Sequence, residues 1–568
     1  MRKKFNEIQN RNQLANFLGL RTQTFTYILY KLDKEELYNT FSIPKKNGGT
    51  RIINAPIDPL KSIQKDLAES LYNYINNISR EHNINSNISH GFIPGKSIIT
   101  NARIHRNKRL VVNIDLKDFF PSFHFGRVRG FFEKNKYFLL SREVSTIIAQ
   151  LTCYKGSLPQ GAPTSPIITN LICQILDYKL LKIAKKYKTD YSRYADDLTF
   201  STNDKSLLKK YDDFLLDIEK VVTKAGFKIN NNKTRLQFSD SKQEVTGLSV
   251  NKKINVNKKF RKDTRAMAHT LYSKGHFFIN GEPGTVNQLE GRFSYINQLD
   301  RFNNIENGND KKNGKMWYRN LNSREKDYQE FLFYKYFINN EKPLLITEGK
   351  TDVRYIKAAI KKYKSHYPLL ASNNVGTRTY NISFLNKSPR LRYFFNLEID
   401  GGDTLINIVN SYIGKDCFPN YYSRLIKKYN LTPKNPVILV MDNEQSKNKP
   451  LHIFLNKINK TATKIDENYR EGLISNQYIK IIENLYLVIT PEIEGKNDSE
   501  IEDLFDHETL NTKIAGKSFN RTNKSNNSHY GKEIFSKYVY NNYHSINFKG
   551  FIPMLDTLSE IIKKNQQL

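Results

Sequence analysis

The chain has 568 residues and carries 90 lysines and arginines against 56 aspartates and glutamates, a formal net charge of +34. A length of this order predicts two to four domains, and so large a positive field favours a polyanionic partner such as nucleic acid. Three widely spaced cysteines exclude a zinc ribbon and a disulfide framework, and the apolar runs are too short to cross a bilayer, so we expect a cytoplasmic protein without a membrane partner.

The N-terminal part of the chain predicts helices around one β-hairpin. Residues 1–40 favour short helices, because their apolar side chains recur along one helical face. Residues 41–56 alternate apolar and polar side chains around Asn47-Gly48-Gly49, which is typical of a hairpin and its turn. An amphipathic helix is predicted over residues 57–80.

Two acidic turns follow, separated by a loop rich in proline and glycine. Leu110–Leu116 is an apolar strand that carries Asp115 at its carboxyl end. Leu158–Pro166 is the loop, and it opens an apolar helix over Ile167–Leu180. Tyr191–Phe200 alternates as strand, tight turn and strand, with two adjacent carboxylates at the tip, Asp196 and Asp197.

Adjacent carboxylates repel each other unless a cation lies between them. A two-metal phosphoryl-transfer site needs that arrangement, since carboxylates hold the Mg²⁺ ions that stabilise the attacking and leaving oxygens. A solvated turn is the alternative for Asp196-Asp197 taken alone. Asp115 ends a strand that can face the pair across a sheet, and this second acidic position favours the metal site.

These segments resemble the palm motifs of reverse transcriptases and follow one another in the same order. The matching residues are Asp115 with Phe119-Phe120, the Leu158–Pro166 loop and Tyr194-Ala195-Asp196-Asp197. The resemblance implies an α+β right-hand polymerase with fingers, palm and thumb. It also implies deoxynucleoside triphosphates as substrates and two Mg²⁺ ions in the palm, held by three catalytic aspartates, Asp115, Asp196 and Asp197.

The same resemblance implies contacts to the incoming nucleotide. Reverse transcriptases carry basic residues on the fingers hairpin that bind the triphosphate. Lys45, Lys46 and Arg51 match them, with Arg51 preferred, and a solvated basic hairpin is the alternative for each. Phe120 stands where these polymerases place a ring against the sugar, although a core aromatic is the alternative. The contacts implied for the templating pair and for a phosphate are Gln160, Gly161 and Lys233.

Two short motifs around the palm resemble the signatures of retron reverse transcriptases. Asn101-Ala102-Arg103-Ile104-His105 has the NAxxH form, and Val245-Thr246-Gly247 has the form of the second signature. The resemblance implies a cognate structured non-coding RNA and a branched RNA–DNA product, msDNA. It assigns residues 1–250 to fingers and palm and the helical, basic residues 251–340 to the thumb. The nucleic-acid contacts that it implies are Asn101, His105, Val245, Thr246 and Gly247.

After Pro343 the pattern becomes that of an α/β sheet. Leu344–Asp352 is a short buried strand that ends in an acidic turn, and a helix follows it. Pro436–Glu444 is another apolar strand that ends in carboxylates. Two such strands separated by helical sequence predict a parallel sheet. Active sites in these sheets form at the carboxyl ends of the strands, where Glu348 and Asp442 lie.

Residues 341–568 resemble the Toprim domains of overcoming-lysogenization-defect nucleases. Glu348–Asp352 matches the Glu-Gly-x-x-Asp turn, whereas Asp442-Asn443-Glu444 departs from Asp-x-Asp at its last residue. Gly401-Gly402 and Glu502-Asp503 match the glycine pair and the downstream acidic element. The resemblance implies catalysis by Glu348 and by Lys532, for which a solvated lysine in a lysine-rich tail is the alternative. It implies one or two Mg²⁺ ions on Glu348, Asp352, Asp442, Glu444, Glu502 and Asp503.

Together the resemblances imply an RNA-directed DNA polymerase joined to a metal-dependent nuclease that acts as the effector in defence against bacteriophage. A homo-oligomer held by msDNA is a further expectation. One alternative keeps the polymerase and makes the Toprim-like part a nucleic-acid-binding module without turnover. Another is an RNA-processing nuclease with a degenerate polymerase half, and the intact Asp115, Asp196 and Asp197 argue against it.

Overall fold

The computed structural model describes residues 5–45, 48–82, 87–308, 317–374, 377–398, 402–459, 469–494, 496, 498–521 and 528–566. Lys46 and Gly401, both assigned above by resemblance, lie outside these ranges. The chain divides into two compact units, residues 1–258 and 259–568. None of the helices in the described ranges combines the length and the apolar content that a bilayer crossing requires.

The first unit contains the predicted hairpin and helices. Its helices are α1 (Arg11–Phe17), α2 (Thr22–Tyr30), α3 (Leu60–Glu81), α4 (Ile98–Ile104), α5 (Phe125–Lys134), α6 (Arg142–Thr152), α7 (Ser165–Lys186) and α8 (Tyr211–Lys224). Its strands are β1 (Tyr38–Pro44), β2 (Thr50–Pro56), β3 (Leu110–Lys117), β4 (Asp190–Tyr194), β5 (Asp197–Thr202), β6 (Lys228–Ile229), β7 (Arg235–Phe238), β8 (Glu244–Val245) and β9 (Leu248–Ser249).

Strand β3 is central to the antiparallel sheet of the first unit. β5 pairs with one edge of β3 and carries β4 outside it, while β6 and β7 pair with the other edge. Alternate residues of β3, from Leu110 to Leu116, enter the apolar core of the unit. Because side chains alternate between the two faces of a strand, Asn113 and Asp115 point to the other face. The core therefore fixes the direction of the Asp115 carboxylate.

The second unit begins with a helical segment and continues as an α/β sheet. Its helices are α9 (Lys258–Lys274), α10 (Val286–Glu306), α11 (Ser323–Phe333), α12 (Asp352–Lys362), α13 (Pro389–Phe395), α14 (Ile406–Ile413), α15 (Pro450–Asn459), α16 (Tyr469–Asn476), α17 (His507–Leu510), α18 (Lys532–Asn541) and α19 (Ile552–Gln566). Its strands are β10 (Phe278–Ile279), β11 (Glu282–Pro283), β12 (Leu344–Thr347), β13 (Ala371–Asn374), β14 (Thr377–Tyr380), β15 (Ser383–Phe384), β16 (Val437–Met441), β17 (Asn443–Glu444), β18 (Tyr478–Ile482), β19 (Leu485–Ile489), β20 (Asp498–Ser499), β21 (Ser518–Phe519) and β22 (His529–Tyr530).

The main sheet of the second unit has the strand order β15-β12-β16-β19-β18. β12 is parallel to β15 and β16, and β16 is parallel to β19, whereas β18 runs antiparallel at the edge. The parallel pairing predicted for the strands after Pro343 and Pro436 is thus present. Alternate residues of β12, β16 and β19 enter two separate apolar cores. A parallel sheet is normally covered on both faces in this way.

The helical segment before the sheet contributes to one of these two cores. Phe293 stacks on Tyr328 with ring centroids 5.4 Å apart, and Tyr328 contacts Phe394 at 5.0 Å. Phe333 stacks on Tyr421 at 4.8 Å. Aromatic rings of helix α11 therefore pack against aromatic residues that follow strand β12 in the chain. The predicted division at residue 340 consequently falls inside one compact unit.

Replacing Phe333 with alanine should destabilise the second unit, because the ring is fully buried against Tyr412 and Tyr421. A Phe→Ala change in a closed core costs about 3–5 kcal/mol. Scanning calorimetry should show a lower midpoint for the transition of this unit. Phe278→Ala is the matched control, since that ring is 54% exposed. Equal midpoints for the two variants would contradict the shared core.

Candidate functional site

The first acidic site lies where β3 meets the hairpin of β4 and β5. The strand register sets Asp115 opposite Asp197. The backbone N–H of Leu116 donates to the carbonyl oxygen of Asp196 at 3.0 Å. The turn passes through Ala195 at φ 55°, in the left-handed region, and leaves the two neighbouring carboxylates at its end. The sheet thus brings the three predicted aspartates to one place.

The electrostatics of this site are those of crowded carboxylates. Burial raises the pKa of Asp197 to about 7, and the charges of Asp196 and Asp115 add to the effect. Burial is also the main cause of the raised pKa of Asp196, which Asp115 increases further. Asn230 Nδ2 donates to Asp115 Oδ1 at 2.9 Å, and Lys233 Nζ lies 3.1 Å from Asp115 Oδ2. The site therefore favours a cation, and one ammonium group already contacts it.

The donor set suits Mg²⁺, which prefers carboxylate oxygens. Asp115, Asp196 and Asp197 supply such oxygens in a setting where a cation would relieve their repulsion. Across the described ranges, however, no three acidic, histidine or cysteine side chains already stand close enough to hold one ion. Mg²⁺ is commonly held by one or two carboxylates together with waters and substrate phosphates, and an ion on Asp115 would compete with the ammonium group of Lys233.

The predicted nucleotide contacts lie on the hairpin of β1 and β2 and on the loop before α7. Arg51 is exposed on β2, and its charge opposes the rise in the pKa of Asp196 that burial causes. Asn54 N donates to the carbonyl oxygen of Gln160 at 2.8 Å. Gly161 has φ 120°, and a Cβ there would lie 3.1 Å from the Asn54 carbonyl oxygen. Glycine is therefore needed where this loop meets the hairpin.

The two neighbouring phenylalanines after β3 have different surroundings. Phe119 is buried and stacks on Phe227 with ring centroids 5.9 Å apart. Phe120 is half-buried, and its ring lies 6.4 Å from that of Phe92. Phe119 accordingly belongs to the core and Phe120 does not lie wholly within it. Lys45 is exposed at the end of β1.

Asn101, Ala102 and His105 of the NAxxH motif are buried, whereas Arg103 is exposed. His105 Nδ1 lies 2.8 Å from Ser201 Oγ, and its Nε2 lies 2.7 Å from Ser192 Oγ. Ser192 Oγ also donates to Asn101 Oδ1 at 2.7 Å. Burial lowers the pKa of His105 to about 3, so the ring is neutral at physiological pH. Asn101 and His105, predicted to contact nucleic acid, instead join α4 to β4 and β5, because neither side chain reaches the surface.

The second retron-like motif forms the turn between β8 and β9. Val245 is fully buried, so its side chain is a core residue and not the predicted nucleic-acid contact. Thr246 and Gly247 have φ values of 47° and 81° and form the turn itself. Gly247 is exposed and Thr246 is half-buried. Of this motif, Thr246 and Gly247 thus remain the predicted nucleic-acid contacts.

A buried ion pair that was not predicted from the sequence lies behind the acidic turn. Arg193 donates to both carboxylate oxygens of Asp177, from Nε and Nη2, at 2.8 Å each. Its Nη1 donates to Asn170 Oδ1 at 3.1 Å and to the carbonyl oxygen of Ala195 at 3.3 Å. Arg193 is 0% exposed. The pair therefore supports the residue that precedes Asp196. An arginine inside a buried strand was the available signal, since a buried charge requires a partner.

The second acidic site lies at the carboxyl ends of β12 and β16. Gly402 N donates to Glu348 Oε1 at 3.2 Å, and a Cβ on Gly402 would lie 2.9 Å from the carboxyl carbon of Glu348. Ile501 N donates to Asp442 Oδ1 at 2.8 Å. Backbone donors thus orient two carboxylates from different strands, and glycine is required beside one of them.

Four carboxylates of this second site influence one another. Burial is the main cause of the raised pKa of Glu348, Asp352, Asp442 and Glu502, and the value for Asp352 is about 6. The charges of Asp352, Glu348 and Glu502 raise the pKa of Asp442 further. Lys532 Nζ lies 3.0 Å from Glu502 Oε2. The structure therefore brings the predicted lysine to the edge of the acidic cluster.

Glu444 and Asp503, two further predicted metal ligands, are paired with other cations. Glu444 forms an ion pair with Lys449, although it is near enough to Glu348 to raise the pKa of that residue. Asp503 lies 2.6 Å from Lys496 Nζ and 2.7 Å from Arg521 Nη2. Asp503 is therefore paired with two cations of its own.

Residues 43–252 match the family model described as reverse transcriptase (RNA-dependent DNA polymerase). The retron Ec86 reverse transcriptase of Escherichia coli is 32% identical over 296 residues, which cover 52% of this chain and 85% of that relative. The chain belongs to the retron reverse transcriptases.

Two retron reverse transcriptases of Myxococcus xanthus match over smaller shares of their length. The Mx65 enzyme is 36% identical over 250 residues, 41% of this chain, and the Mx162 enzyme is 33% identical over 325 residues, 52% of this chain. The matches span 55% of the Mx65 enzyme and 64% of the Mx162 enzyme. The family model, which matches residues 43–252, includes the three aspartates of the acidic site in the first unit.

In this retron reverse transcriptase, replacing Arg193 with methionine should destabilise the first unit. The change leaves the carboxylate of Asp177 buried without its partner, which costs about 3–5 kcal/mol. Thermal unfolding measured by calorimetry should show the loss in the transition of this unit. Lys186→Gln is the control, because its ion pair with Asp217 is exposed. An Arg193→Met protein as stable as this control would contradict the role of the buried pair.

Proposed function

We propose that the first unit is an RNA-directed DNA polymerase that copies part of a cognate structured non-coding RNA into a branched RNA–DNA hybrid, msDNA. The observation that carries the proposal is the register of Asp115 against Asp197, with Asp196 beside them, in a chain of the retron reverse transcriptase family. Deoxynucleoside triphosphates are the substrates, and two Mg²⁺ ions are the cofactors.

The three aspartates hold the metal ions in this proposal. Bound Mg²⁺ would stabilise the attacking oxygen and the leaving pyrophosphate. Arg51 binds the triphosphate, since a guanidinium matches phosphate oxygens in a forked geometry. Lys233 exchanges its contact with Asp115 for a phosphate oxygen of the nucleotide. The half-buried ring of Phe120 lies against the sugar and excludes a 2′-hydroxyl, which favours deoxynucleotides.

Asp197→Asn should abolish extension of an annealed primer and the formation of msDNA in cells. The change removes a metal-binding charge while keeping the shape of the side chain. Primer extension with purified protein and Mg²⁺ measures the first effect, and gel analysis of cellular nucleic acid measures the second. Asp240→Asn, at an exposed carboxylate outside the site, should leave both unchanged. Branched DNA made by Asp197→Asn would remove the polymerase assignment.

We further propose that residues 341–568 form a Toprim-type, metal-dependent nuclease that msDNA restrains until bacteriophage infection. Glu348 and Asp442 at the carboxyl ends of parallel strands support this proposal, with Asp352 and Glu502 near enough to raise the pKa of Asp442. Lys532 beside Glu502 supports it too. One or two Mg²⁺ ions held by Glu348 and Asp442 would activate water, and Lys532 would meet the scissile phosphate. A homo-oligomer held by msDNA is part of the same proposal.

Glu348→Gln should abolish Mg²⁺-dependent cleavage of nucleic acid by protein freed of msDNA, because it removes a metal-binding charge from the acidic centre. The assay uses single-stranded and duplex RNA and DNA, with EDTA as the metal-free arm. Glu508→Gln, at an exposed carboxylate, is the matched control. If Glu348→Gln and wild type behave alike in every arm, residues 341–568 form a binding module without turnover.

A further inference from the structure

A cavity of about 500 Å³ opens beside the acidic turn of the second unit. Thr347 and Gly349, the residues on either side of Glu348, form part of its wall. Lys387 also lines the cavity, and its Nζ donates to the carbonyl oxygen of Glu348 at 2.8 Å. The cavity therefore adjoins the backbone of Glu348, whose side chain is the proposed catalytic group of the nuclease.

The wall of this cavity is cationic. Four of the side chains that line it are Lys350, Arg354, Lys357 and Lys387, and its described lining residues include no aspartate or glutamate. Arg354 and Lys357 lie three residues apart on α12, so they share one face of the helix. Lys350 lies two residues before the start of that helix. The cations thus form a row that leads to the acidic turn.

Lys357 lies beside an aromatic ring, and two other cations of this row share the carboxylate of Glu533. Glu533 lies 3.0 Å from Arg354 and 3.6 Å from Lys350, so one carboxylate serves two cations. Lys357 Nζ lies 4.9 Å from the ring centroid of Phe384. Burial lowers the pKa of Lys357, and no described carboxylate lies within ion-pair distance of it. The cavity consequently keeps a positive charge that an anionic ligand would satisfy.

Aromatic and aliphatic side chains complete the wall. Phe384, Leu385 and Tyr540 line the cavity together with the cations. Aromatic rings stack on bases of any sequence, while lysine and arginine bind the phosphates of the same strand. A volume of about 500 Å³ is also within the range of known ligand sites, roughly 300–1,000 Å³. The cavity thus combines the two kinds of contact that a nucleotide of a single strand requires.

We propose that this cavity binds the part of a nucleic-acid strand that lies next to the bond to be cleaved. The row of cations binds backbone phosphates, and a base packs against Phe384 or Tyr540. The row favours a strand over a free nucleotide, since it extends along α12 away from Glu348. This inference rests on the nuclease function proposed for the second unit, and it adds the path by which the substrate reaches the acidic centre.

Photo-cross-linking of the full chain tests the proposal directly. The protein carries Glu348→Gln, and the probes are single-stranded RNA and DNA that contain 5-iodouridine or 5-iododeoxyuridine. Mass spectrometry should identify a cross-link to the peptide with Tyr540 or to that with Phe384. Adding Lys357→Gln and Lys387→Gln should reduce this cross-link at least ~fivefold, because two phosphate contacts are lost. Lys563→Gln, an exposed lysine on α19 that does not line the cavity, should not reduce it.

The arms of the experiment separate this proposal from the nuclease assignment. Cross-links confined to other peptides, or unchanged by the two lysine substitutions, would overturn the cavity proposal even if the wild type cleaves nucleic acid. If cross-links form in the cavity but the wild-type protein cleaves no nucleic acid, the cavity proposal holds and the nuclease assignment fails. Loss of the cross-link on adding ATP, but not inorganic phosphate, would assign the cavity to a free nucleotide and overturn the strand. Comparison of the RNA and DNA probes identifies the strand.

Discussion

Repulsion between buried carboxylates is the constraint on which both acidic centres depend. In each unit, strands whose side chains fill an apolar core end in aspartate or glutamate, and the backbone leaves these groups crowded together. Backbone N–H groups, an asparagine amide and ammonium groups compensate part of this repulsion. Asn230 and Lys233 contact Asp115, while Gly402, Ile501 and Lys532 contact the carboxylates of the second unit. In the first unit, a divalent cation would compensate the same carboxylate charges.

Residue periodicity accounts for most of what the sequence predicted correctly. The strand that ends at Asp115, the hairpin that carries Asp196 and Asp197, and the parallel strands after Pro343 each combine strand length with β-branched residues, which favours a strand over a helix. Because these patterns also give the direction of each strand end, the meeting of Asp115 with Asp197 could be predicted. Local sequence patterns were enough to predict the position of a functional residue that stands at the end of a strand.

Pairings between distant segments could not be predicted in the same way. Asn101 and His105 are polar, and nothing in their spacing says that Ser192 and Ser201 would enclose them. The partner of Arg193 is Asp177 on a preceding helix, and Asp503 turns to Lys496 and Arg521 and not to Asp442. These contacts depend on how helices and loops pack, which is a tertiary property. Motif resemblance did not show that Asn101, His105 and Val245 are buried.

Helix α11 links the two parts of the second unit that the sequence predicted to divide at residue 340. Its aromatic residues close a core whose other wall belongs to the parallel sheet, so neither part presents a finished surface at residue 340. Chimeras between relatives would therefore have to transfer the helix together with the sheet that it covers. An exchange of whole units would instead place its junction near residue 258, where the two compact units meet in the sequence.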